Sequence, residues 1–331
     1  MNIKETIGID ISKLKFDARI HSNQMFKTFE NSKKGFRNLI KWVNTNSDYS
    51  ANETLFIYEY TGLYSYQLAV FLTECDLPFT LVPGLAIKRS LGISRGKDDR
   101  IDATKIALYG YRLREELTPQ KLPSKAIIKL KRLLTLRERL VKQRAGYKGS
   151  LKEQKSVLLK KDNLILFDTQ EKMIKTLTKG IDKIDSEMQE IIKADRELET
   201  IYKLVKSVKG IGTQTTLFLI AYTDGFTKFK NSRKFASYCG IAPFPNSSGS
   251  SIRGKTKVSH LANKKIKSLL DLCAKTSIQY SPEMKAFYQR RVNQGYNKMS
   301  TINIIRNKLL ARAFAVVRRR VPYVDILKYA A

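Results

Sequence analysis

Gly8-Ile9-Asp10-Ile11 is the stretch that decides the fold of the first part of the chain. The residues around it, Thr6–Ile11, are mostly apolar or β-branched and predict a strand that carries one carboxylate. Two further strands, Phe16–Ile20 and Met25–Glu30, follow at the spacing of an antiparallel meander. Leu55–Tyr60 predicts a fourth strand, and its apolar residues on both faces indicate a central position in a sheet.

Helices and one more strand alternate after these strands. Asn31 or Ser32 is expected to cap a helix that ends at Asn44. The later elements are helices at Tyr64–Glu74, Leu85–Leu91 and Asp102–Glu116, a strand at Phe79–Val82 and a loop at Gly92–Asp99. Three strands followed by alternating helices and strands is the order of an RNase H-like (RuvC-like) α/β domain, which we predict for residues 1–120.

Residues 121–200 show apolar residues at three- and four-residue intervals. The first series is Ile127, Leu130, Leu134 and Val141, with Arg137 in one core position; the second is Met173, Leu177, Ile181, Ile184, Met188, Ile191 and Leu198, interrupted by Asp195. The two series are separated near Lys161–Thr169. The pattern predicts two long helices in a protruding or intermolecular coiled coil. A helical layer packed on a domain is the alternative.

The last segment, residues 201–331, is predicted to be a mainly α domain. Lys209-Gly210-Ile211-Gly212 lies between apolar helical stretches and resembles the turn of a helix-hairpin-helix element. In such a turn, glycines let backbone N–H groups meet a nucleic-acid phosphate. A glycine turn that only joins two helices is the alternative. Asn246–Gly254 predicts a Ser/Gly loop, and Val258–Lys275 and Ile302–Val317 predict helices.

The chain is strongly basic, because its 331 residues include 62 Lys and Arg against 30 Asp and Glu, a formal net charge of +32. Residues 201–331 hold 25 basic and 4 acidic residues, whereas residues 1–120 hold 17 and 14. No acidic residue occurs between Asp224 and Asp271. With 42% hydrophobic residues the chain has enough apolar side chains for a core, which argues against disorder. We therefore expect residues 201–331 to bind nucleic acid.

Cysteines and apolar runs exclude several other classes. Cys75, Cys239 and Cys273 are widely separated, which argues against a structural zinc site and a secreted disulfide scaffold. The longest apolar-rich run, Thr215–Tyr222, is far shorter than the roughly 20 residues that span a bilayer. The first residues show no signal-peptide pattern. We expect a soluble intracellular protein.

Four carboxylates of the nearly neutral first third lie where the predicted elements begin or end. Asp10 is on the first strand, Glu59 at the end of the fourth, and Asp99 and Asp102 where a loop leads into a helix. The first and fourth strands of an RNase H-like sheet are neighbours, so Asp10 and Glu59 are expected to meet. A spacing of three residues places Asp99 and Asp102 on one helix face.

Converging carboxylates repel one another unless cations lie between them. Hard oxygen ligands select Mg²⁺, for which Mn²⁺ can substitute, and two such ions clamp the attacking and leaving oxygens of a phosphodiester. The structural alternative makes Asp10 a turn residue, Glu59 a surface residue, and Asp99 and Asp102 helix caps.

With their flanking residues, these positions resemble the DEDD-type insertion-sequence transposases, bridge-RNA-guided recombinases to which Piv-type DNA invertases are related. The resemblance covers essentially the whole chain. In the first third it is carried by Gly8-Ile9-Asp10, Glu59-Tyr60-Thr61-Gly62 and Lys97-Asp98-Asp99-Arg100-Ile101-Asp102-Ala103. Asp98 stands where the family usually has threonine. The shared helix face favours Asp99, and not Asp98, as the partner of Asp102.

A second block of the resemblance lies in the last third. It comprises Lys209-Gly210-Ile211-Gly212, Phe235–Pro243, Ser247-Ser248-Gly249 and Ile252-Arg253-Gly254-Lys255. The resemblance implies that Ser248 is a nucleophile, with Ser247, Ser250 and Ser251 close by as alternatives. Without the resemblance, these serines predict only a flexible loop.

The resemblance implies a Mg²⁺-dependent transposase in which Ser248 attacks phosphorus and forms a serine-linked DNA end. A free serine hydroxyl is a poor nucleophile, so activation by a metal is implied. The residues implied to act are the metal ligands Asp10, Glu59, Asp99 and Asp102, the nucleophile Ser248, and the nucleic-acid-binding residues Lys209, Gly210, Gly212, Arg253, Lys255 and Lys257.

The implied partners are a structured guide RNA and double-stranded donor and target DNA, in the nucleoid-associated cytoplasm of a prokaryote. The acids and the serine lie in different predicted domains, so a composite site in a dimer or tetramer is expected, with the coiled coil helping assembly. One rival is a RuvC-like, structure-selective endonuclease that uses the same carboxylates and metal-activated water. The second rival is a non-catalytic nucleic-acid-binding protein.

Overall fold

The computed structural model describes residues 3–90, 99–248 and 252–324, with the side chains of residues 99–100, 246–248, 252, 253 and 255 outside the description. By its contacts the chain divides into two compact units, Met1–Leu122 and Pro123–Ala331. The division into segments at residues 120 and 200 stays a prediction. The helical segment predicted at 121–200 contributes Ile127, Leu130 and Met188 to one hydrophobic core with residues as far as Val316.

The first unit is a five-stranded sheet covered by helices on both faces. Its strands are β1 (Glu5–Ile11), β2 (Lys15–Ile20), β3 (Phe26–Glu30), β4 (Thr54–Glu59) and β5 (Phe79–Val82), and its helices are α1 (Lys33–Asn46), α2 (Leu63–Glu74), α3 (Gly84–Ser90) and α4 (Asp99–Arg112). The strand order is β3-β2-β1-β4-β5. β1 is antiparallel to β2 and parallel to β4. The mixed α/β architecture and the adjacency of the first and fourth strands are confirmed.

Alternating side chains explain the two helical layers. Ile9 and Tyr58 pack in the core that contains residues of α1 and α2, whereas Ile57 packs with Ile106 of α4 on the opposite face. Of the two candidate caps of the first helix, Ser32 is the one observed, because its hydroxyl accepts a hydrogen bond from the Gly35 amide at 3.2 Å.

Helix α4 differs from its prediction at both ends. It begins at Asp99 and ends at Arg112, whereas the pattern predicted Asp102–Glu116. After the helix, the chain continues in turns, in which the Glu116 amide donates to the Leu113 carbonyl at 2.9 Å. Most of the predicted loop Gly92–Asp99 lies outside the described residues.

The second unit is mostly helical, as predicted. Its elements are α5 (Lys125–Val157), α6 (Leu164–Lys193), α7 (Arg196–Lys206), α8 (Thr213–Thr223), α9 (Ser232–Tyr238), β6 (Pro243–Ser248), β7 (Ile252–Val258), α10 (Lys264–Tyr280), α11 (Pro282–Asn293) and α12 (Lys298–Arg319). No helix in the described ranges is both long and apolar enough to cross a membrane.

Helices α5 and α6 form a helical hairpin whose turn lies at residues 158–163, earlier than the predicted 161–169. Arg137, predicted in a core position, is partly buried, and its guanidinium forms an ion pair with the Asp185 carboxylate, with Nε–Oδ1 at 2.6 Å. The predicted second helix is two helices, since Asp195 ends the first series by capping α7 and accepting from the amides of Glu197 and Leu198. The coiled-coil assignment itself stays a prediction.

The Ser/Gly loop predicted at Asn246–Gly254 was wrong, because most of it lies in an antiparallel pair of strands, β6 and β7. The helix predicted from Val258 begins at Lys264, and helix α11 was not predicted. Backbone hydrogen bonds hold strands together whatever the side chains are. Polar strands without an alternating apolar pattern are therefore missed by periodicity.

Candidate active site

Asp10 and Glu59 lie beside each other at the carboxyl ends of the parallel strands β1 and β4. The register pairs Ile9 with Tyr58, so the next position along both strands places Asp10 and Glu59 side by side. Both residues are half-buried. The structure therefore places two of the predicted site residues at one sheet edge, where side chains of parallel strands commonly bind ligands.

A glycine on β1 lets helix α4 lie directly on this strand. An ideal Cβ on Gly8 would be 2.2 Å from the Ala103 carbonyl oxygen and 2.2 Å from the Ala107 nitrogen. The Thr6 hydroxyl donates to the Ala107 carbonyl at 3.1 Å. Because Asp102 immediately precedes Ala103, this contact fixes the helical turn that carries Asp102 over β1.

The Asp102 side chain is 39% exposed and accepts a hydrogen bond from the Lys105 ammonium, with Nζ–Oδ1 at 3.3 Å. Asp99 is the first residue of α4, three positions before Asp102. The side chain of Asp99 is outside the description, and Asp98 is outside it entirely. The assignment of Asp99, and not Asp98, as a metal ligand stays a prediction.

Glu59 packs against a glycine at the start of α3. An ideal Cβ on Gly84 would be 2.3 Å from the Glu59 Oε1 atom and 2.7 Å from Oε2. Any larger residue there would displace the carboxylate. Pro83-Gly84 directly follows the fifth strand, and a glycine at a strand end is the signal in the sequence for this close approach.

Asp17 is a carboxylate that sequence reasoning missed. It lies on β2 directly opposite Asp10, is 4% exposed, and accepts a hydrogen bond from the Thr28 hydroxyl. The Lys15 ammonium is 3.8 Å from Asp17 Oδ2. A three-residue connection, residues 12–14, joins β1 to β2 and pairs residue 10 with residue 17, so the hairpin spacing contained this signal.

These oxygen donors have the chemistry that a hard divalent cation prefers. DEDD-type transposase domains typically use divalent metal ions. Among the described side chains, however, no group of three or more His, Cys, Asp or Glu residues is arranged to hold a metal ion. The four-carboxylate site of Asp10, Glu59, Asp99 and Asp102 therefore stays a prediction, supported by donor chemistry and by the position of Asp10 beside Glu59 at adjacent strand ends.

Ser248 is the last residue of β6, where its Cα pairs with that of Ile252. The neighbouring Ser247 pairs with Arg253. Side-chain positions of these residues and of Lys255 lie outside the description, as do Ser250 and Ser251 entirely. Lys257 is exposed on β7, opposite Phe244.

The base of this β-hairpin is held by two amide side chains of α12. Asn303 and Asn307 both donate to the Ile241 carbonyl, at 2.9 and 3.1 Å. Gly240, just before it, has φ of +66°, and an ideal Cβ there would be 2.5 Å from the Ala262 side chain. The start of β6 is thus fixed from two sides.

The turn at Lys209-Gly210-Ile211-Gly212 joins α7 and α8, so its helical neighbours are as predicted. Gly210 has φ of +92°, and an ideal Cβ would be 1.8 Å from the Ser277 hydroxyl of α10. Packing against α10 therefore accounts for this glycine, which favours the simple helix-joining turn. Gly212 precedes α8 without a side-chain cap. Phosphate binding by Lys209, Gly210 and Gly212 stays a prediction.

Two family models match this chain, one over the segment with the acidic residues and one over the segment with Ser248. A family model of DEDD transposases of the IS110 type, described as "Transposase", matches residues 7–159, and the "Transposase IS116/IS110/IS902 family" model matches residues 202–289. The first match includes Asp10, Glu59 and Asp102, and the second includes the β-hairpin with Ser248.

The chain is also similar to the pilin gene-inverting proteins of Moraxella bovis and Moraxella lacunata, each 30% identical over 97% of this chain and 98% of that protein. It is 26% identical to an uncharacterized 43.6 kDa protein of insertion element IS110 from Streptomyces coelicolor, over 38% of this chain and 31% of that protein. Matches over both units and over nearly the full length of two relatives show that the chain belongs to the IS110 family of DEDD transposases.

Proposed function

We propose that this transposase cuts and rejoins DNA through a serine-linked intermediate, under the guidance of a structured non-coding RNA. The observation that carries the proposal is the position of Asp10 and Glu59 at adjacent strand ends, beneath the helix that bears Asp102. The similarity of the chain, over nearly its full length, to proteins named for gene inversion supports rejoining of DNA as well as cutting.

The acidic residues act in this proposal as ligands. Asp10, Glu59, Asp99 and Asp102 would hold Mg²⁺, or Mn²⁺ in its place. When bound, such an ion supplies positive charge to the scissile phosphate and to the leaving 3′ oxygen. The buried Asp17, opposite Asp10, adds negative charge to the same sheet edge.

Ser248 acts as the nucleophile. Its hydroxyl oxygen attacks phosphorus and loses its proton to solvent, the new Ser–O–P bond forms, and the bond to the 3′ oxygen breaks. The 3′ oxygen takes up a proton and leaves as a hydroxyl group. Attack by another 3′ hydroxyl on the phosphoserine reverses these changes, so strand exchange needs no ATP.

Basic residues near the serine would contact the nucleic acid. Arg253, Lys255 and the exposed Lys257 lie on β7, in a stretch of 46 residues, 225–270, that has no carboxylate. Cations there offset the charge that develops on phosphate oxygens. The net charge of +32 supports binding of two polyanions, a guide RNA and DNA.

The helical hairpin supports assembly into a dimer or tetramer. Exposed apolar side chains cluster around its turn, namely Val157, Leu158, Leu159, Leu164, Ile165 and Leu166. Val157 is 82% exposed and Ile165 is 85% exposed. We call these six residues the tip patch. Burial of the tip patch against a second copy would remove it from water.

A trapping experiment tests the serine chemistry. The purified protein, its co-purifying RNA and a nicked DNA substrate are incubated with Mg²⁺, denatured by boiling in detergent, and analysed for a protein–DNA adduct by mass spectrometry. The adduct is expected on Ser248. Ser248→Ala should eliminate it, while the matched variant Ser250→Ala should keep it.

Two other outcomes would change the assignment. Loss of the adduct in Ser247→Ala, with retention in Ser248→Ala, moves the nucleophile by one residue. Mg²⁺-dependent cleavage by Ser248→Ala without any covalent species shows that water is the nucleophile, which is the endonuclease chemistry. Sequencing the RNA that co-purifies with the protein tests the guide, because a random RNA mixture contradicts guidance.

A further inference from the structure

A groove of about 520 Å³ runs between strand β3 and helix α1 in the first unit. β3 is the edge strand of the five-stranded sheet, so within the described residues its outer edge has no neighbouring strand. The groove is lined by Lys27 of β3 and by Lys34, Asn38, Lys41, Trp42 and Thr45 of α1. None of the predicted metal ligands, the predicted nucleophile Ser248 or the predicted nucleic-acid-binding residues lines the groove.

The groove has a fixed shape. Trp42 is only 8% exposed and packs edge-on against Phe29, with ring centroids 5.6 Å apart. At the end where β3 leads into α1, an ideal Cβ on Gly35 would be 1.9 Å from the Glu30 carbonyl oxygen. The helix and the strand are therefore in close contact there, and the groove exists before anything binds to it.

Its three lysines are not neutralised by carboxylates. In the described part of the chain, Lys27, Lys34 and Lys41 form no ion pair, and the Lys27 ammonium lies 5.7 Å from the Phe29 ring centroid. Other lysines of the same unit are paired, for example Lys4 with Glu53 at 2.6 Å. The acidic residue of the lining is Glu30, which accepts from the Ser32 hydroxyl at 3.4 Å.

The charge distribution of the unit points to the same place. Residues 26–46 contain five basic residues and one acidic residue, whereas residues 1–120 contain 17 and 14. Without this segment the remainder of residues 1–120 has 12 basic and 13 acidic residues. The positive excess of a nearly neutral unit is thus concentrated on the strand and helix that form the groove.

The polar residues of α1 form a regular stripe. Lys34, Asn38, Lys41 and Thr45 are spaced by four, three and four residues, so they lie on one face of the helix. At a rise of about 1.5 Å per residue, the two lysines are roughly 10 Å apart along the helix axis. That separation lets them contact two phosphates of one extended strand.

We propose that this groove binds the sugar-phosphate backbone of one nucleic-acid strand, as a contact additional to the basic second unit. Unpaired ammonium groups attract phosphates, and the Asn38 side-chain amide donates hydrogen bonds to phosphate oxygens. An extended peptide paired with the β3 edge would leave the lysine charges uncompensated. The inference goes beyond the proposed function, because it does not depend on the chemistry of Ser248 or the acidic residues.

The test compares two charge reversals on one helix of the full-length protein. Lys34→Glu with Lys41→Glu changes the groove, and Lys33→Glu with Arg37→Glu makes the same charge change at exposed positions outside the lining. Binding of fluorescent single-stranded RNA, single-stranded DNA and duplex DNA of one sequence is measured over a range of salt concentrations. Thermal melting checks that both variants are folded, which is expected because the changed side chains are exposed.

The groove variant should bind at least one probe about tenfold more weakly, and its log–log salt slope should fall by roughly 1.4 for a single strand or 1.8 for a duplex. In the control variant, the change in the salt slope should be less than about half of the change in the groove variant. The probe with the largest effect identifies the strand that the groove binds.

Equal losses of affinity in both variants would overturn the inference, because the affinity would then depend on the net charge of the helix and not on the groove. Unchanged binding in the groove variant would overturn it as well, and a peptide partner would then be the better explanation for the groove. If the wild-type protein bound no nucleic acid, the proposed function would fail too. If wild type binds and cleaves nucleic acid and the groove variant binds as tightly as wild type, this inference fails while the proposed function stands.

Discussion

Gly8 of β1 and Ala103 of α4 are in contact through their backbones, with only 2.2 Å between an ideal Cβ on Gly8 and the Ala103 carbonyl oxygen. The neighbour is backbone, so a side chain at residue 8 cannot be accommodated by a rotamer change. The position of α4 over the sheet, and with it that of Asp102, depends on this glycine.

Gly8→Ala should therefore displace α4 and destabilise the protein by about 3 kcal/mol, the upper part of the range for overpacking. The rate of DNA cleavage should fall even at temperatures at which the variant is fully folded, because Asp102 is displaced. Urea unfolding and Mg²⁺-dependent cleavage assays measure the two effects. Gly146→Ala is the control, because a Cβ there meets no described atom within 4 Å, and it should stabilise α5 by about 0.5–1 kcal/mol. An unchanged unfolding midpoint for Gly8→Ala would contradict the contact.

Removing single carboxylates should separate cleavage from binding. Asp10→Asn, Glu59→Gln and Asp102→Asn should each reduce strand cleavage by about a hundredfold or more, since each removes a metal-ligand charge. Nucleic-acid affinity should stay nearly unchanged, because no basic contact is lost. Parallel cleavage and binding titrations decide this, with the exposed Asp48→Asn as control. Robust cleavage by any two of the three variants would refute the metal-site assignment.

The two asparagines below the β-hairpin should matter for stability and for adduct formation. In Asn303→Ala with Asn307→Ala, the buried Ile241 residue loses both side-chain donors to its carbonyl. An unsatisfied buried acceptor costs about 1–3 kcal/mol. We expect a lower unfolding midpoint and a lower yield of the serine–DNA adduct. Either single variant should cost less, and the exposed Asn293→Ala should cost nothing measurable. Equal stability of the double variant and wild type would contradict the anchor.

Thiol reactivity should distinguish the three cysteines. Burial raises the pKa of the Cys239 thiol to about 12, and burial also raises the pKa of the Cys273 thiol. The reactive thiolate is therefore scarce at both positions even at mildly alkaline pH. A disulfide reagent should titrate one thiol quickly in the native protein, the exposed Cys75, and three after denaturation. Cys75→Ser should abolish the fast phase; two fast native thiols would disagree with the structure.

Charges in the tip patch should weaken self-association. Val157→Glu with Ile165→Glu replaces two highly exposed apolar side chains, so folding should be unaffected while the oligomer dissociates at concentrations at which wild type is assembled. Sedimentation velocity measures this. Thr135→Glu with Ala145→Glu makes the same charge change at exposed positions of the same hairpin and should leave assembly intact. Identical distributions for both variants would argue against the patch as the interface.

The sequence by itself determined the elements whose information is local. Alternation and apolar runs located the five described strands of the first unit within one residue, and the expected cap at Asn31 or Ser32 marked the start of α1. The order of those elements was enough to predict that the strand of Asp10 and the strand of Glu59 are neighbours. The charge count was enough to predict a nucleic-acid partner, because net charge needs no coordinates.

Tertiary structure alone decided which residues meet across long distances in the chain. The Glu59 carboxylate meets Gly84 only once the sheet and α3 have formed. The hairpin with Ser248 looked like a loop, because its strands are held by backbone hydrogen bonds that leave no side-chain period. Lys27 and the lysines of α1 line one groove only because α1 packs beside the edge strand β3, and the periodicity of neither element encodes which helix packs beside which strand.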